Sequence, residues 1–259
     1  MKRFVAVMLG LLLAGNAMAR VITTSVEYKD GDTIGQGWLA YDDAVSGRRA
    51  GILLVPDWMG VSDHQKDQVE ALAKLGYVAF TADVYGKDVR PKDAREAGTE
   101  AARYYKDAAL LRQRMRASLD FLASQPQADP DRLGVTGYCF GGHGALELAR
   151  SGAPIKAVVT FHGSLASSNP ADAKNIRAKV LALHGADDPF VKQDEVKAFM
   201  DEMRAGGVDW ELVQYSGAVH AFTDPRAGND NSKGAAYNAE ADRRSWQAMR
   251  DFLTETLGK

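Results

Sequence analysis

The chain has 259 residues, 46% of them hydrophobic, which is enough to build one α/β domain with a substantial core. Its 32 basic and 34 acidic side chains nearly cancel, which argues against a nucleic-acid-binding protein with clustered positive charge. The single cysteine, Cys139, excludes an intramolecular disulfide and any metal site built from several cysteines. Small molecules are therefore the expected partners.

The N-terminal residues carry the three parts of a secretory signal peptide. Lys2 and Arg3 supply a positive start, Phe4 to Ala14 is a short apolar run, and Ala17-Met18-Ala19 matches an A-x-A cleavage site. The apolar run is too short to span a bilayer as a helix. We expect residues 1–19 to be removed and residues 20–259 to form a periplasmic or secreted protein. The alternative is an uncleaved N-terminal anchor or a buried helix.

The mature chain is predicted to open with an antiparallel hairpin. Val21 to Tyr28 and Thr33 to Tyr41 are rich in β-branched and aromatic residues, and the Asp30-Gly31 pair between them is a strong hairpin signal. Gly51 to Pro56 and Tyr77 to Ala82 are then continuous apolar runs, as parallel strands buried on both faces require.

Helical patterns alternate with further strands. Ser62 is a suitable N-cap for a helix that ends near Gly76, and Leu111 to Leu122 has one buried helical face. Residues 83–108 are polar and irregular, which predicts a loop with short helices. Later strands are predicted at Ile155 to Phe161, Lys179 to His184 and Trp210 to Tyr215, and later helices around Val196 to Met203 and Trp246 to Leu257.

This order of elements predicts one α/β domain over residues 20–259. Strands that alternate with helices after a hairpin form a mostly parallel, doubly wound sheet with helices on both faces. Functional side chains of such sheets lie beyond the carboxyl ends of the strands. The side chains that meet this condition are Asp57, Cys139, His162, Asp187, Asp188 and His220.

Residues 137–144 join a buried strand to a helix through a sharp turn with the pattern G-x-C-x-G. Gly137 and Gly141 let the chain turn tightly, so that Cys139 is presented above the edge of the sheet. A thiol at the N-terminus of a helix is favoured as the thiolate, which is its nucleophilic form. The alternative is a buried structural cysteine in a glycine-rich turn.

The order of the other candidates favours a catalytic triad. α/β-Hydrolases carry a nucleophile, an acid and a histidine in that order, and Cys139, the adjacent acids Asp187 and Asp188, and His220 follow it at strand ends. The other histidines lie within predicted helices or precede the acids: His64, His143, His162 and His184. Of these, His162 and His184 end strands and can still line a pocket.

From about Gly51 to the C-terminus, the chain resembles the dienelactone hydrolase family, the carboxymethylenebutenolidases and their relatives, within the α/β-hydrolase fold. The matching motifs are Gly137-Tyr-Cys-Phe-Gly-Gly, Asp188-Pro-Phe-Val, Tyr215-Ser-Gly-Ala-Val-His-Ala-Phe222 and Ala82-Asp-Val-Tyr85. The resemblance implies that Cys139 is the nucleophile, His220 the general base and acid, and Asp188 the residue that orients His220. It also implies an oxyanion hole made by the backbone N–H groups of Trp58 and Phe140. We expect no metal and no cofactor.

Some positions depart from the family's pattern. Asp57 stands where members place a glutamate that holds the resting thiol, so it is expected to gate Cys139; the alternative is an exposed loop acid. Lys87 and Asp224 stand where aromatic-degrading members place an arginine pair for the substrate carboxylate, with Arg226 nearby. A lysine beside an aspartate holds a carboxylate poorly, which predicts a neutral substrate in an apolar cleft. The substrate-binding residues expected there are Tyr85, Lys87, Phe222 and Arg226, with Trp58 and Phe140.

Together these features predict a hydrolase that cleaves lactone or carboxylic ester bonds through an acyl-enzyme on Cys139. The expected partner is a small lactone or ester, with no nucleic acid and, after signal cleavage, no membrane; the oligomeric state is left open. The alternatives are a catalytically silent exported binding protein and a thiol redox protein on the same fold. A silent protein is expected to lack a triad member, and redox chemistry normally needs a second cysteine.

Overall fold

A mostly parallel β-sheet forms the centre of the protein. The structure is a computed structural model that describes residues 20–258, so the predicted signal peptide, residues 1–19, lies outside the described residues. The strands are β1 (Val21–Asp30), β2 (Thr33–Asp42), β3 (Arg49–Val55), β4 (Val78–Thr81), β5 (Ala128–Tyr138), β6 (Ala157–Phe161), β7 (Lys179–Gly185) and β8 (Trp210–Tyr215). Their spatial order is β1-β2-β4-β3-β5-β6-β7-β8. The pairs β1–β2 and β2–β4 are antiparallel and the others are parallel, which confirms the predicted hairpin and doubly wound sheet.

Helices cover both faces of this sheet. They are α1 (Asp63–Lys74), α2 (Ala94–Lys106), α3 (Ala108–Ala123), α4 (Phe140–Arg150), α5 (Gln193–Gly206) and α6 (Ala239–Leu257). Because successive side chains of a strand point to opposite faces, Leu53 of β3 joins the core under α3, α4 and α5, whereas Ile52 and Leu54 join the core under α1 and α6. No helix within residues 20–258 has the length and apolar character that crossing a bilayer requires.

Helix α2 differs from the sequence-based expectation of a loop with short helices. It is one continuous helix of 13 residues, capped at Asp93, whose carboxylate accepts a hydrogen bond of 2.9 Å from the Glu96 N–H. Its buried face consists of Ala97, Ala101 and Tyr104. Two of these side chains are small, so the helix buries little apolar surface, and few large apolar residues mark it in the sequence.

Candidate active site

Cys139 lies at a strained turn between β5 and α4. Its backbone has φ 55° and ψ −118°, a region that residues other than glycine rarely adopt. The glycines on either side are required by close backbone contacts: a Cβ at Gly137 would collide with the carbonyl of Gly141, and one at Gly141 with the carbonyls of Val55 and Pro56. The local sequence therefore holds the thiol at the carboxyl end of the sheet, directly before the first turn of a helix.

The structure brings Cys139, His220 and Asp188 together. His220 Nε2 lies 3.1 Å from Cys139 Sγ, and His220 Nδ1 lies 2.8 Å from Asp188 Oδ2. The other oxygen of Asp188 accepts hydrogen bonds from the N–H groups of Phe190, at 2.8 Å, and Val191, at 3.3 Å. The acid is thus fixed by the backbone, and it holds the imidazole against the thiol.

The neighbouring acid, Asp187, faces away from this site. Its carboxylate accepts a hydrogen bond of 3.0 Å from the N–H of Gly217, in the turn that follows β8. The sequence alone leaves Asp187 and Asp188 as alternatives. In the structure only Asp188 contacts His220, so Asp188 is the acid of this arrangement.

The surroundings of His220 favour its protonated form. Burial by itself lowers the pKa of His220, but the hydrogen bonds to Asp188 and Cys139, with the negative charges of both partners, outweigh burial and raise the pKa to about 10. The protonated ring therefore lies within hydrogen-bond distance of the Cys139 sulfur, at 3.1 Å.

Cys139 and His220 open into a cavity of about 450 Å³, a volume typical of small-molecule sites. Its aromatic walls are Trp58, Tyr138 and Phe190. Among the residues that the structure describes, no lysine and no arginine lines this cavity, whereas the carboxylates of Asp57 and Asp224 do.

Two backbone N–H groups beside the thiol are available as donors. Phe140 is the first residue of α4, where an N–H has no partner within the helix, and Trp58 lies in the loop after β3. Neither N–H donates a hydrogen bond to another residue within 20–258. An oxyanion hole formed by these two N–H groups stays a prediction.

Asp57 lines the cavity but does not contact the thiol. One carboxylate oxygen accepts a hydrogen bond of 2.8 Å from the N–H of Met59, and the other lies 3.6 Å from Arg226 Nη2. Burial raises the pKa of Asp57, and the Met59 N–H and Arg226 oppose that shift. Gating by Asp57 stays a prediction, which the pH profile of Cys139 alkylation in an Asp57→Asn variant would test.

Arg226 forms salt bridges with two carboxylates at the rim of the cavity. Its guanidinium donates two hydrogen bonds of 2.9 Å to Asp224 and lies 3.6 Å from Asp57. The arginine expected near the substrate is therefore bound between two carboxylates and does not project into the cavity.

Three other predicted substrate-binding side chains are directed elsewhere. Tyr85 is buried with its ring 5.8 Å from that of Phe140, and its hydroxyl donates to the Trp58 carbonyl. Lys87 pairs with Glu27 at 3.4 Å, and Phe222 is 0% exposed. The prediction that Tyr85, Lys87, Phe222 and the ring of Phe140 line the cleft is therefore wrong. Core packing and a salt bridge to β1 take these side chains away from the cavity.

Several lining residues were not predicted from the sequence. Tyr138 and Phe190 are chain neighbours of Cys139 and Asp188, which is the signal that would have found them. Thr223 and His64 reach the cavity from the loop after β8 and from α1. Of the two histidines that end strands, His162 lines the cavity and His184 does not.

Comparisons with known proteins identify the family that the chain resembles. The model of the family described as the dienelactone hydrolase family matches residues 36–257. A dienelactone hydrolase-like promiscuous phosphotriesterase from metagenomic libraries has a solved structure that is 43% identical, covers 92% of this chain and 99% of its own, and superposes with a TM-score of 0.88.

Two curated relatives are similar to this chain over more than three quarters of its length. A protein of Methylorubrum extorquens, provisionally assigned as a carboxymethylenebutenolidase, is 30% identical over 79% of this chain and 71% of its own length. A protein of a Bradyrhizobium species, provisionally assigned as a 2-oxo-3-(5-oxofuran-2-ylidene)propanoate lactonase, is 29% identical over 77% of this chain and 85% of its own.

Proposed function

Because the chain belongs to the dienelactone hydrolase family, we propose that it hydrolyses lactones or carboxylic esters through a covalent acyl-enzyme on Cys139. The observation that carries this proposal is the contact of 3.1 Å between His220 Nε2 and Cys139 Sγ, with Asp188 holding the opposite nitrogen of the ring at 2.8 Å. A nucleophile, a base and an orienting acid in this arrangement are the requirements of acyl transfer. A redox role is disfavoured because it normally needs a second cysteine, and the sequence has one cysteine.

The reaction would proceed in two halves. In the first, the Cys139 thiolate attacks the carbonyl carbon, and the N–H groups of Phe140 and Trp58 stabilise the negative charge on the carbonyl oxygen. The tetrahedral intermediate expels the alcohol oxygen, which takes the proton from the His220 imidazolium and leaves a thioester. In the second half, neutral His220 removes a proton from water, which attacks the thioester and releases the acid. The carbon–sulfur bond breaks and releases the Cys139 thiolate, while His220 keeps the proton taken from water, so the thiolate–imidazolium pair is restored.

An activated ester tests the covalent step. Brief incubation with 4-nitrophenyl acetate, followed by acid quenching, is expected to add one acetyl group to the peptide that contains Cys139, because acylation of an aryl ester outpaces thioester hydrolysis. Mass analysis of the digested protein locates the adduct, and Cys139→Ala is the control that should carry none. Acetylation of another residue, with hydrolysis unchanged in Cys139→Ala, would contradict the proposal.

We further propose that the preferred substrates are uncharged. The cavity is lined by the carboxylates of Asp57 and Asp224 and by no lysine or arginine among the described residues. Arg226, the cation beside it, is held by both acids. A free carboxylate entering here would meet negative charge without a bidentate partner. The structural relative from metagenomic libraries is named for phosphotriesters, which are also uncharged esters.

A matched pair of substrates measures this preference. The methyl ester of a carboxylate-bearing enol-lactone is expected to exceed the free acid in kcat/KM by about tenfold or more, the effect of roughly 1.4 kcal/mol of charge repulsion. Asp224→Asn should narrow the difference, because it removes one repelling charge and loosens Arg226. A strong preference for the acid that disappears in Arg226→Ala would show that the arginine leaves its acids and binds the substrate.

We also propose that the protein is exported and cleaved after Ala19, on the basis of the tripartite N-terminal sequence. The intact mass of the protein recovered from its native host should correspond to a chain beginning at Arg20. A full-length product retained in the membrane fraction would exclude cleavage.

A further inference from the structure

His162 lies beside the triad, at the end of β6, without belonging to it. It is 3% exposed and lines the same cavity as Cys139 and His220. Its backbone has φ 39°, in the left-handed region that favours glycine, and its N–H donates a hydrogen bond of 2.8 Å to the Leu183 carbonyl of β7. A large polar side chain is thus buried at a strained backbone position in the cavity of the thiol. Both features cost stability, which suggests that the side chain has a role there.

The ring of His162 is joined to the loop that carries His220. Its Nε2 lies 2.8 Å from the hydroxyl oxygen of Thr223, three residues beyond His220. The ring also stands edge-on to His220, with centroids 5.2 Å apart, and to Phe222, with centroids 5.1 Å apart. His162 therefore contacts this loop at three residues and restricts the space into which the His220 ring can turn.

The backbone of this loop has further attachments. The His220 N–H donates to the Gly234 carbonyl at 3.1 Å, the Ala236 N–H donates to the His220 carbonyl at 3.0 Å, and the Asn238 N–H donates to the Phe222 carbonyl at 3.0 Å. These bonds fix the backbone from residues 234–238. The bond from His162 to Thr223 is the polar contact that joins the loop to β6.

His162 is also suited to sit beside a cation. Burial, and then the positive charge of His220, hold the pKa of His162 well below its usual range. The other titratable groups around it are His184 at the end of β7 and Tyr138 at the end of β5. A neutral imidazole adds no second positive charge beside the His220 imidazolium, which a lysine or arginine at this position would do.

We infer that His162, through its hydrogen bond to Thr223, is a positioning residue that holds the His220 ring against the Cys139 sulfur. The inference rests on the proposed function, because it assigns His162 to the same acyl transfer. The distance of 3.1 Å between His220 Nε2 and Cys139 Sγ depends on the position of the loop that carries His220 and on the orientation of the His220 ring. Small displacements of a reacting group lower the rate strongly.

Removing the hydroxyl of Thr223 while keeping its shape tests the inference. Thr223→Val is expected to lower kcat about tenfold with little change in KM, and Thr223→Ser, which restores the hydroxyl, is expected to recover most of the rate. The rate of Cys139 alkylation by iodoacetamide, measured across pH, should shift toward alkaline pH in Thr223→Val and not in Thr223→Ser. A purely structural role would lower the melting temperature without moving this profile.

A double variant shows whether the two residues act through their mutual bond. If they do, His162→Phe together with Thr223→Val should be no slower than the worse single variant, because the bond is lost only once. Multiplicative effects, or a Thr223→Val alkylation profile identical to that of the wild type, would overturn the inference. The alkylation readout needs no ester, so absence of esterase activity in the wild type would reject the proposed function and leave this test intact.

Discussion

Replacing His220 with Ala is expected to lower kcat/KM for a neutral aryl ester about 10,000-fold. The ring lies 3.1 Å from Cys139 Sγ and 2.8 Å from Asp188 Oδ2, so its loss removes the acid of the first half-reaction and the base of the second. Steady-state hydrolysis measures the change. Alkylation of Cys139 by iodoacetamide at pH 7 should also slow about tenfold or more, because a thiol without a cationic neighbour is only a few per cent thiolate.

His64→Ala is the matched control for this experiment. His64 lines the same cavity, yet it makes no hydrogen bond to Cys139 or Asp188 among the described residues. Its loss should change KM rather than kcat and leave the alkylation rate at its wild-type value. Equal losses of kcat in the two variants would mean that the cavity needs histidines for shape or charge, and that His220 is not the base.

The core of this site could be predicted because it depends on local sequence and on chain order. Gly137 is required by the nearby carbonyl of Gly141, and Gly141 by the carbonyls of Val55 and Pro56 at the end of β3. Both requirements fall on glycines next to Cys139 in sequence, where they leave a readable pattern. The choice of His220 follows from the order of strands, since each parallel strand brings its last residues to the same edge of the sheet.

The walls of the cavity could not be predicted in this way, because tertiary packing decides which side of a chain segment faces the site. Phe222 lies two residues from His220, yet it packs into the core against Tyr215. Lys87 is drawn to Glu27 on β1, a partner 60 residues away in the chain. The bond between His162 and Thr223 joins residues 61 apart, and neither residue alone signals it.

A buried arginine at the other end of the nucleophile helix gives the largest expected effect on stability. Arg150 ends α4 and is 0% exposed in its side chain. All five of its N–H groups are directed at acceptors: two at Glu202, one at Glu147, and one each at the carbonyls of Leu165 and Ala166. Glu147 has a second partner in Arg112, whose Nε lies 2.8 Å away. Glu202, by contrast, depends on Arg150.

Arg150→Met is expected to lower the free energy of unfolding by about 3–5 kcal/mol, because it leaves the Glu202 carboxylate buried without its counter-charge. For a domain of this size the melting temperature should fall by about 10 °C. Urea denaturation followed by circular dichroism measures the loss. The control is Arg116→Ala, which removes an exposed pair with Asp120 on α3 and should change stability by no more than about 0.5 kcal/mol.

The cause of that loss can be separated from simple overpacking or cavity formation. In the double variant Arg150→Met with Glu202→Met, the unpaired carboxylate is gone and most of the stability should return, as expected when a buried ion pair is replaced by apolar groups. Failure of the second substitution to recover stability would mean that the lost hydrogen bonds to Leu165 and Ala166 dominate. Those bonds tie the end of α4 to the segment after β6, so in that case the variant should also disturb His162 and slow Cys139 alkylation.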